Sequence, residues 1–155
     1  MSFLPPDFVV PVAVETDGFR MRMLTIHDLV KDYDAVMSSR EHLWRRFGGV
    51  WGWPKPEMTL EQNLIDLGWH QKEFQRHSSF AYTAVTLDET RTLGCAYIDP
   101  PTAGGMDAEV WFWARQSELQ GRLEDRLDAH LRRWLRSEWG FRAVSLNGQA
   151  TVLPG

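Results

Sequence analysis

Residues 108–127, AEVWFWARQSELQGRLEDRL, decide the fold, because a strand pattern passes into a helix pattern around a single glycine. The first six residues are mostly apolar and aromatic and predict a strand. From about Gly121 to Arg136, leucines and Trp134 recur at the spacing of one helix face. A glycine loop between a strand and a helix is a common anion site, because free amides and the helix dipole favour negative charge there.

The elements that precede this stretch follow from periodicity and capping signals. Residues 19–24 alternate apolar and basic side chains, which predicts a half-buried strand, and Thr25 predicts the N-cap of a helix. A capping box at Thr59 begins a second helix that runs to about His77. Residues 38–58 give no clear pattern, and the prolines within residues 51–56 predict a structured loop there.

The second helix carries two sets of apolar residues. The set predicted to face the core is Leu60, Leu64, Leu67 and Phe74. Ile65 and Trp69 point nearly the opposite way, since each residue turns the helix by about 100°. This second pair needs cover, either from the Trp-rich loop or from a partner subunit.

The strands define the fold class. Residues 80–86, 93–98 and 108–113 predict an antiparallel meander, and residues 141–146 predict a last strand. The resulting order is strand, helix, helix, three strands, helix, strand. That order predicts a single α+β domain over residues 1–155, with a mixed and mostly antiparallel sheet flanked by helices.

Composition limits the classes of function that the protein can have. The 155 residues carry a formal net charge of −4, which argues against binding nucleic acid through a broad basic surface. Cys95 is the single cysteine, so no disulfide forms within the chain and a cytoplasmic location is expected. The first residues carry neither a basic signal nor a long apolar run, so no membrane segment is expected. The 8 tryptophans build either an ordinary core or an aromatic pocket or self-association surface.

Three stretches resemble the GNAT superfamily of acyl-CoA N-acyltransferases. TDGFRMRMLTIHDL (residues 16–29) resembles the first strand and helix entry of the branch that acetylates protein N-termini and small amines. AEVWFW (108–113) resembles that branch's fourth strand, and WLRSEWGFRAVSL (134–146) resembles its third helix and fifth strand. The resemblance covers most of residues 16–147 and implies a GNAT-like fold.

The resemblance gives the glycine loop a role. In the family, a loop of the form Gln/Arg-x-x-Gly-x-Gly/Ala holds the pyrophosphate of acyl-CoA, so acetyl-CoA is the implied cofactor. Residues 118–123 take that place here, with Gly121 as the first glycine. Leu123 stands at the second small position, and Glu118 stands where glutamine or arginine is usual. The stretch is therefore either an altered CoA site or an ordinary strand-to-helix loop.

The remaining site residues follow from the same resemblance. The implied cofactor-binding residues are Trp113, Ala114, Arg115, Gly121, Arg122 and Leu123. The backbone at Trp113 and Ala114 would hold the thioester carbonyl, and Arg115 and Arg122 would bind phosphate oxygens. Glu109 is the candidate catalytic base that deprotonates the amine; the other interpretation is a polar residue at a strand start. No metal is expected.

The implied function is an acyl-CoA-dependent N-acetyltransferase acting on a small or peptide amine that the sequence does not identify. The alternative is a non-catalytic GNAT-like protein that acts as a binding or dimeric module. The altered glycine pattern favours this alternative, as does an ending at Gly155 that is expected to lack the family's final helix and strands. That helix often supplies a tyrosine acid, and no tyrosine follows Tyr97. A homodimer is expected to cover the sheet that those elements leave open.

Two further groups are candidates for chemistry. Cys95 is either an acyl-carrying nucleophile or an inert buried thiol, and its apolar strand favours the inert thiol. A stripe on the second helix comprises Asp66, His70, Glu73 and His77. It is either a metal-binding face or a solvated flank, and the solvated flank is favoured.

Overall fold

A computed structural model describes residues 3–16 and 18–155, which form one seven-stranded sheet and four α-helices. The strands are β1 Ala13–Thr16, β2 Phe19–Met23, β3 Phe80–Val85, β4 Thr92–Asp99, β5 Ala108–Ala114, β6 Ala143–Leu146 and β7 Gln149–Val152. The helices are α1 Leu29–Ser38, α2 Arg40–Trp51, α3 Leu60–Gln75 and α4 Leu123–Ser137, with short 3-10 turns at Ile26–Asp28 and Gln116–Glu118. Within the described residues, no helix combines the length and apolar character needed to cross a membrane.

The strands lie in the sheet in the order of the sequence. All neighbours pair antiparallel except β5 and β6, which pair parallel with Ala108 opposite Val144 and Val110 opposite Leu146. Helix α4 makes the crossover between these two strands, as a parallel connection requires. The predicted mixed α+β sheet and the β3–β4–β5 meander are confirmed.

Both predicted capping signals are present. Thr25 accepts a hydrogen bond from the His27 amide, while Asp28 accepts one from the Thr25 amide. Thr59 and Gln62 form the same reciprocal pair at the start of α3. Each box satisfies amides that the helix start leaves without partners, so these two helix starts were readable from local sequence.

Two elements correct the sequence analysis. No strand was predicted after residue 146, but β7 folds back on β6. Asn147 and Gly148 make the two-residue turn with φ values of 47° and 83°, as tight hairpins require. The unassigned stretch contains α2, which buries Leu43 and Phe47 completely and ends where Gly52 adopts a left-handed conformation.

Each face of the sheet carries its own core. One face packs against α4 and the amino-terminal segment, with Phe19, Tyr82, Phe112, Leu127, Leu131 and Trp134 among its buried members. The other face packs against α1, α2 and α3, with Leu24, Leu43, Phe47, Leu67, Tyr97 and Trp113 among its buried members. The sheet is therefore covered on both faces, which explains why nearly all of β3, β4 and β5 is buried.

Two of the four α3 residues predicted to face the core are buried. Leu67 and Phe74 are buried, but Leu60 and Leu64 are 44% and 39% exposed. Ile65 and Trp69 are also exposed, so α3 contacts the sheet over a narrower stripe than the spacing of its apolar residues suggests. The homodimer that would cover such residues stays a prediction.

Strand β4 approaches β5 closely at Gly94. A Cβ atom added to Gly94 would lie 2.1 Å from the carbonyl oxygen of Trp113, far inside van der Waals contact. The next residue pair remains hydrogen-bonded, since the Arg115 amide donates to the Leu93 carbonyl at 2.7 Å. Only glycine fits here without moving the strand that leads into the glycine loop.

Gly94→Ala is expected to lower the free energy of unfolding by about 3 kcal/mol, because the new methyl group forces β4 and β5 apart. Urea denaturation of the purified protein measures this. Gly104→Ala is the matched control, since nothing lies within 4 Å of a Cβ at that position. If Gly94→Ala lost no more stability than Gly104→Ala, β4 and β5 would not approach each other closely at Gly94.

Candidate functional site

Strands β5 and β6 diverge after their three paired residues. β6 turns away at Asn147, whereas β5 continues to Ala114. Asn147 spans the start of the gap, because its amide donates to the Val110 carbonyl and its side-chain oxygen accepts from the Phe112 amide, both at 2.9 Å. The edge of β5 beyond Val110 is therefore unpaired by a strand, although its polar groups still need partners.

Helix α2 covers this edge. Arg46 donates from Nη1 to the Phe112 carbonyl at 3.2 Å and also pairs with the carboxylate of Glu124 in the first turn of α4. His42 lies near the backbone of Ala114. Together with Arg45, these two side chains line a small cavity of about 240 Å³, so the part of α2 beside this edge is basic.

The glycine loop ends in an uncapped helix start. Arg122 occupies the N-cap position with φ of 59°, and no side chain caps the first turn. Gly121 is exposed, and the nearest atom to a Cβ added there is the Glu118 carbonyl oxygen at 3.6 Å. An anion can therefore reach the amides at the start of α4, where the helix dipole favours it.

The side chains at both departures from the family pattern have contacts of their own. The Leu123 side chain is buried in the core beneath α4, so it does not crowd the loop. Glu118 pairs with Arg91 at 3.3 Å, which offsets its charge. The first-turn acids Glu124 and Asp125 remain near the helix start and are paired with arginines.

Of the other predicted cofactor residues, Trp113, Ala114 and Arg115 lie deeper. Arg115 donates from its terminal nitrogens to the Thr92 carbonyl at 2.9 Å and to Asp34 at 3.0 Å, whereas its buried Nε has no partner among the described residues. The Trp113 side chain is buried, and like Ala114 it offers only backbone to a ligand at the edge of β5. Arg122 stays at the surface, paired with Asp125.

The two ends of the implied acyl-CoA site therefore differ. The loop at Gly121 and Arg122 fits a pyrophosphate, because it offers an open backbone, free helix amides and a surface guanidinium. The edge of β5 fits an acyl arm only after Arg46 releases the Phe112 carbonyl.

The Glu109 carboxylate is held by two neighbours. One oxygen accepts from Nε1 of Trp111 at 2.8 Å, and the other accepts from the Thr102 hydroxyl. Glu109 lies opposite Asp99 in the β4–β5 ladder, at the start of the strand that carries the candidate site. It does not belong to the lining of the large cavity beside this strand.

That cavity, here called the acidic cavity, has a volume of about 750 Å³. Its carboxylates are Asp32, Asp66, Glu73 and Asp99, and its aromatic walls are Trp51, Trp53, Trp69 and Tyr97. Asn63 and His70 also line it, whereas none of the described lysines or arginines does. Trp51 contacts the rings of Trp111 and Tyr97 at centroid distances of 5.7 and 5.5 Å, so the cavity reaches the side chains of β5.

Burial shifts the pKa values of the side chains that line the acidic cavity. Desolvation raises the pKa of Asp32 to about 6, and the negative charges of Asp28 and Asp66 add to the increase. Desolvation also raises the pKa values of Asp66, Glu73 and Asp99. It lowers the pKa of His70, so the imidazole is neutral at pH 7 and can accept a proton. The ring stacks on Tyr97 at 5.4 Å.

Cys95 lies beneath this cavity rather than in it. Its thiol donates to Asp32 at 3.6 Å, and burial raises its pKa well above the ordinary value. A thiolate is the nucleophilic form of cysteine, so this environment agrees with the interpretation of Cys95 as an inert thiol.

The acidic stripe on α3 borders the acidic cavity. Asp66 and His77 are exposed, as the solvated flank predicts, while Asp66, His70 and Glu73 also line the cavity. His77 lies beyond the helix with its ring against Phe80. Among the described residues, no group of three or more histidine, cysteine and carboxylate side chains is arranged to hold a metal ion. The signal that could have located the cavity is this stripe together with the Trp-rich segment.

The fold that carries this site is that of the GNAT acyltransferases. Ribosomal-protein-S5-alanine acetyltransferase from Vibrio fischeri matches with a TM-score of 0.63 and 17% identity, over 88% of this chain and 73% of that one. Spermidine N-acetyltransferase from Vibrio cholerae, solved with CoA and spermine, matches with a TM-score of 0.62 and 9% identity, over 84% and 71%. Ribosomal L7/L12 α-N-protein acetyltransferase in complex with coenzyme A matches with a TM-score of 0.60 and 13% identity, over 86% and 73%.

No protein-family model matches the sequence, and comparison with curated proteins gives no match either. At the identities of the matching structures, the likeness establishes the fold alone. The activity has to be argued from the site, because one fold supports many functions.

The free energy of unfolding of Asp32→Asn is expected to exceed that of the wild type by more at pH 8 than at pH 4, the difference growing by up to about 3 kcal/mol. The folded-state pKa of Asp32 lies above its ordinary value of 3.8. The native protein therefore loses stability as the pH rises from about 4 through about 6, and the amide removes that loss while still accepting the Asn63 hydrogen bond.

Urea denaturation of both proteins across this pH range measures the effect. Asp7→Asn, at an exposed aspartate, is the control and should follow the wild-type curve. Parallel curves for Asp32→Asn and wild type would show that Asp32 has an ordinary pKa in the folded protein.

Proposed function

We propose that the protein is an acyl-CoA-dependent N-acyltransferase, most simply an N-acetyltransferase, that acts on an amine. The observation that carries this proposal is the divergence of β5 and β6 beside the uncapped start of α4. It leaves a free strand edge and a phosphate-binding loop on one side of β5, with the acidic cavity reaching the side chains of the same strand. An acyl donor and a basic acceptor can thus approach one strand from two directions.

Acetyl-CoA would supply the acyl group as a thioester. The loop at Gly121 would bind the pyrophosphate through backbone amides, with Arg122 adding a charge-assisted hydrogen bond. The backbone from Trp113 to Ala114 would lie along the acyl arm. Arg46 would have to leave the Phe112 carbonyl for this, and its charge then remains near the phosphates.

The acidic cavity would receive the acceptor amine. Carboxylates attract the ammonium form, but only the neutral amine has the lone pair needed to attack a thioester. His70 is the best-placed proton acceptor, because it lines the cavity and burial keeps it neutral. Glu109, with both carboxylate oxygens engaged, acts in this proposal by positioning Trp111.

One observation favours a second candidate, a non-catalytic binding protein with a GNAT fold. Arg46 and Asn147 already satisfy the Phe112 carbonyl and amide. A strand edge closed by the protein's own side chains needs no cofactor to complete it. In this candidate the acidic cavity would bind its ligand without acyl transfer.

Gly121→Trp is expected to weaken acetyl-CoA binding at least about tenfold, because the indole would cover the amides that hold the pyrophosphate. Titration calorimetry with acetyl-CoA and with free CoA measures this. Gly104→Trp, in the open loop between β4 and β5, is the matched control. Equal affinities for the two variants, or no binding to wild type at millimolar ligand, would exclude the loop as a CoA site.

His70→Gln is expected to lower kcat/KM about a hundredfold or more, because the proton acceptor is lost. The assay uses acetyl-CoA with a panel of primary amines and measures the CoA thiol that the reaction releases. In the wild type, kcat/KM should decrease as the pH falls below ~6.5, since the pKa of His70 is lowered from the ordinary imidazole value. Glu109→Gln should keep that acid limb.

Glu109 would be the base instead if the decrease of kcat/KM at acid pH disappeared in Glu109→Gln and remained in His70→Gln. Absence of CoA release with every amine would favour the non-catalytic candidate.

A further inference from the structure

The floor of the acidic cavity holds a buried carboxylate that pairs with no lysine or arginine in the part of the chain that the structure describes. Asp32 is 3% exposed, and its hydrogen-bond partners are the Asn63 side-chain amide at 2.9 Å and the Cys95 thiol at 3.6 Å. The charges that act on it, from Asp28 and Asp66, are both negative. A buried carboxylate with only neutral donors leaves much of its desolvation cost uncompensated.

A second group on the same floor offers an open acceptor. Asn63 is 2% exposed and directs its Nδ2 group to Asp32, which fixes the orientation of its amide. No described residue donates to its Oδ1 atom, and this oxygen is not among the fully buried atoms that lack a partner, so it faces the cavity that the residue lines. A carboxylate without a cation and an open amide oxygen lie side by side, and an ammonium group supplies several donors together with the missing positive charge.

A second acidic pair lies between α3 and the end of β4. Glu73 and Asp99 both line the cavity. Desolvation raises the pKa of each, and a neighbouring carboxylate adds to the increase, Asp99 for Glu73 and Glu109 for Asp99. Arg76 partly offsets the charge of Glu73 but does not line the cavity. Asn63 on the floor and Glu73 are ten residues apart on α3, so the two acidic ends lie about 15 Å apart along the helix.

The wall between these ends is apolar and aromatic. Tyr97 and His70 stack there, and His70 lies between Asp66 and Glu73 on the same face of α3. Such a surface suits a hydrocarbon chain, while ring faces also attract cations. The cavity thus offers two negative ends joined by an apolar middle.

We propose that the acidic cavity binds a linear aliphatic diamine as its dication, with one ammonium at Asp32 and Asn63 and the other at Glu73 and Asp99. With a hydrogen bond of about 2.8 Å at each end, the two nitrogens lie about 9–10 Å apart, which an extended chain of about six to eight carbon atoms spans. The identification of this dication as the acyl acceptor rests on the proposed function, whereas its binding does not.

The test is titration calorimetry without acetyl-CoA, at low ionic strength, with propane-, hexane- and octanediamine and with hexylamine as the monocation. Hexane- or octanediamine is expected to bind at least about tenfold more tightly than hexylamine or propanediamine. Glu73→Gln should reduce hexanediamine binding to the level of hexylamine and leave hexylamine unchanged. Glu61→Gln, on α3 but outside the cavity, is the matched control and should change neither.

Three results would overturn the proposal. They are equal affinities for hexylamine and hexanediamine, equal effects of Glu73→Gln and Glu61→Gln, and tight calcium binding that displaces the diamine. Asp32→Asn should weaken both the diamine and hexylamine, and thermal unfolding shows whether that variant is folded. Because Glu73 is only half-buried, its variant keeps the test decisive if Asp32→Asn fails to fold.

The same ligands separate this proposal from the proposed function. Diamine binding without acetyl transfer in the presence of acetyl-CoA would retain the dication site and exclude the acyltransferase. Acetyl transfer to hexylamine with the same kcat/KM as to hexanediamine would retain the acyltransferase and exclude the dication site.

Discussion

The parallel pairing of β5 with β6 is the constraint on which the rest of the site depends. A parallel pair requires a crossover, and α4 supplies it, so the helix start lies beside the end of β5. Because the pairing spans only three residues, the edge of β5 beyond Val110 must find other partners for its polar groups. Asn147 and Arg46 are those partners, and this explains why α2 lies across the gap.

The acidic cavity presents the opposite electrostatic problem. A pKa of about 6 for Asp32 corresponds to roughly 3 kcal/mol of unfavourable burial at neutral pH. Repulsion between Asp66 and Glu73 across about 10 Å is smaller, roughly 1–2 kcal/mol at an effective dielectric constant of 20, and salt screens it. Desolvation at the floor is therefore the larger cost. A ligand gains most by placing a positive charge beside Asp32 and Asn63.

Local signals predicted much of the fold and little of the site. The capping boxes at Thr25 and Thr59 and the meander depend on neighbours in sequence, and all were readable. Helix α2 and the burial of Arg115 were not, because their determinants are distant. Arg115 pairs with Asp34 across 81 residues, and Arg46 reaches Phe112 across 66. Sequence spacing placed Asp66, His70 and Glu73 on one face of α3, but only the packing shows that this face borders a cavity.

Helix α2 connects the two halves of the site. Arg46 closes the edge of β5, and Trp51 at the end of the same helix forms a wall of the acidic cavity. Phe47 lies between them and stacks on Trp51 with ring centroids 4.5 Å apart. The acceptor cavity and the strand edge thus share one helix, whose Arg46 has to leave the Phe112 carbonyl before an acyl arm can bind there. A coupling between occupancy of the cavity and opening of the strand edge would be reciprocal, because each ligand changes the affinity for the other by the same factor.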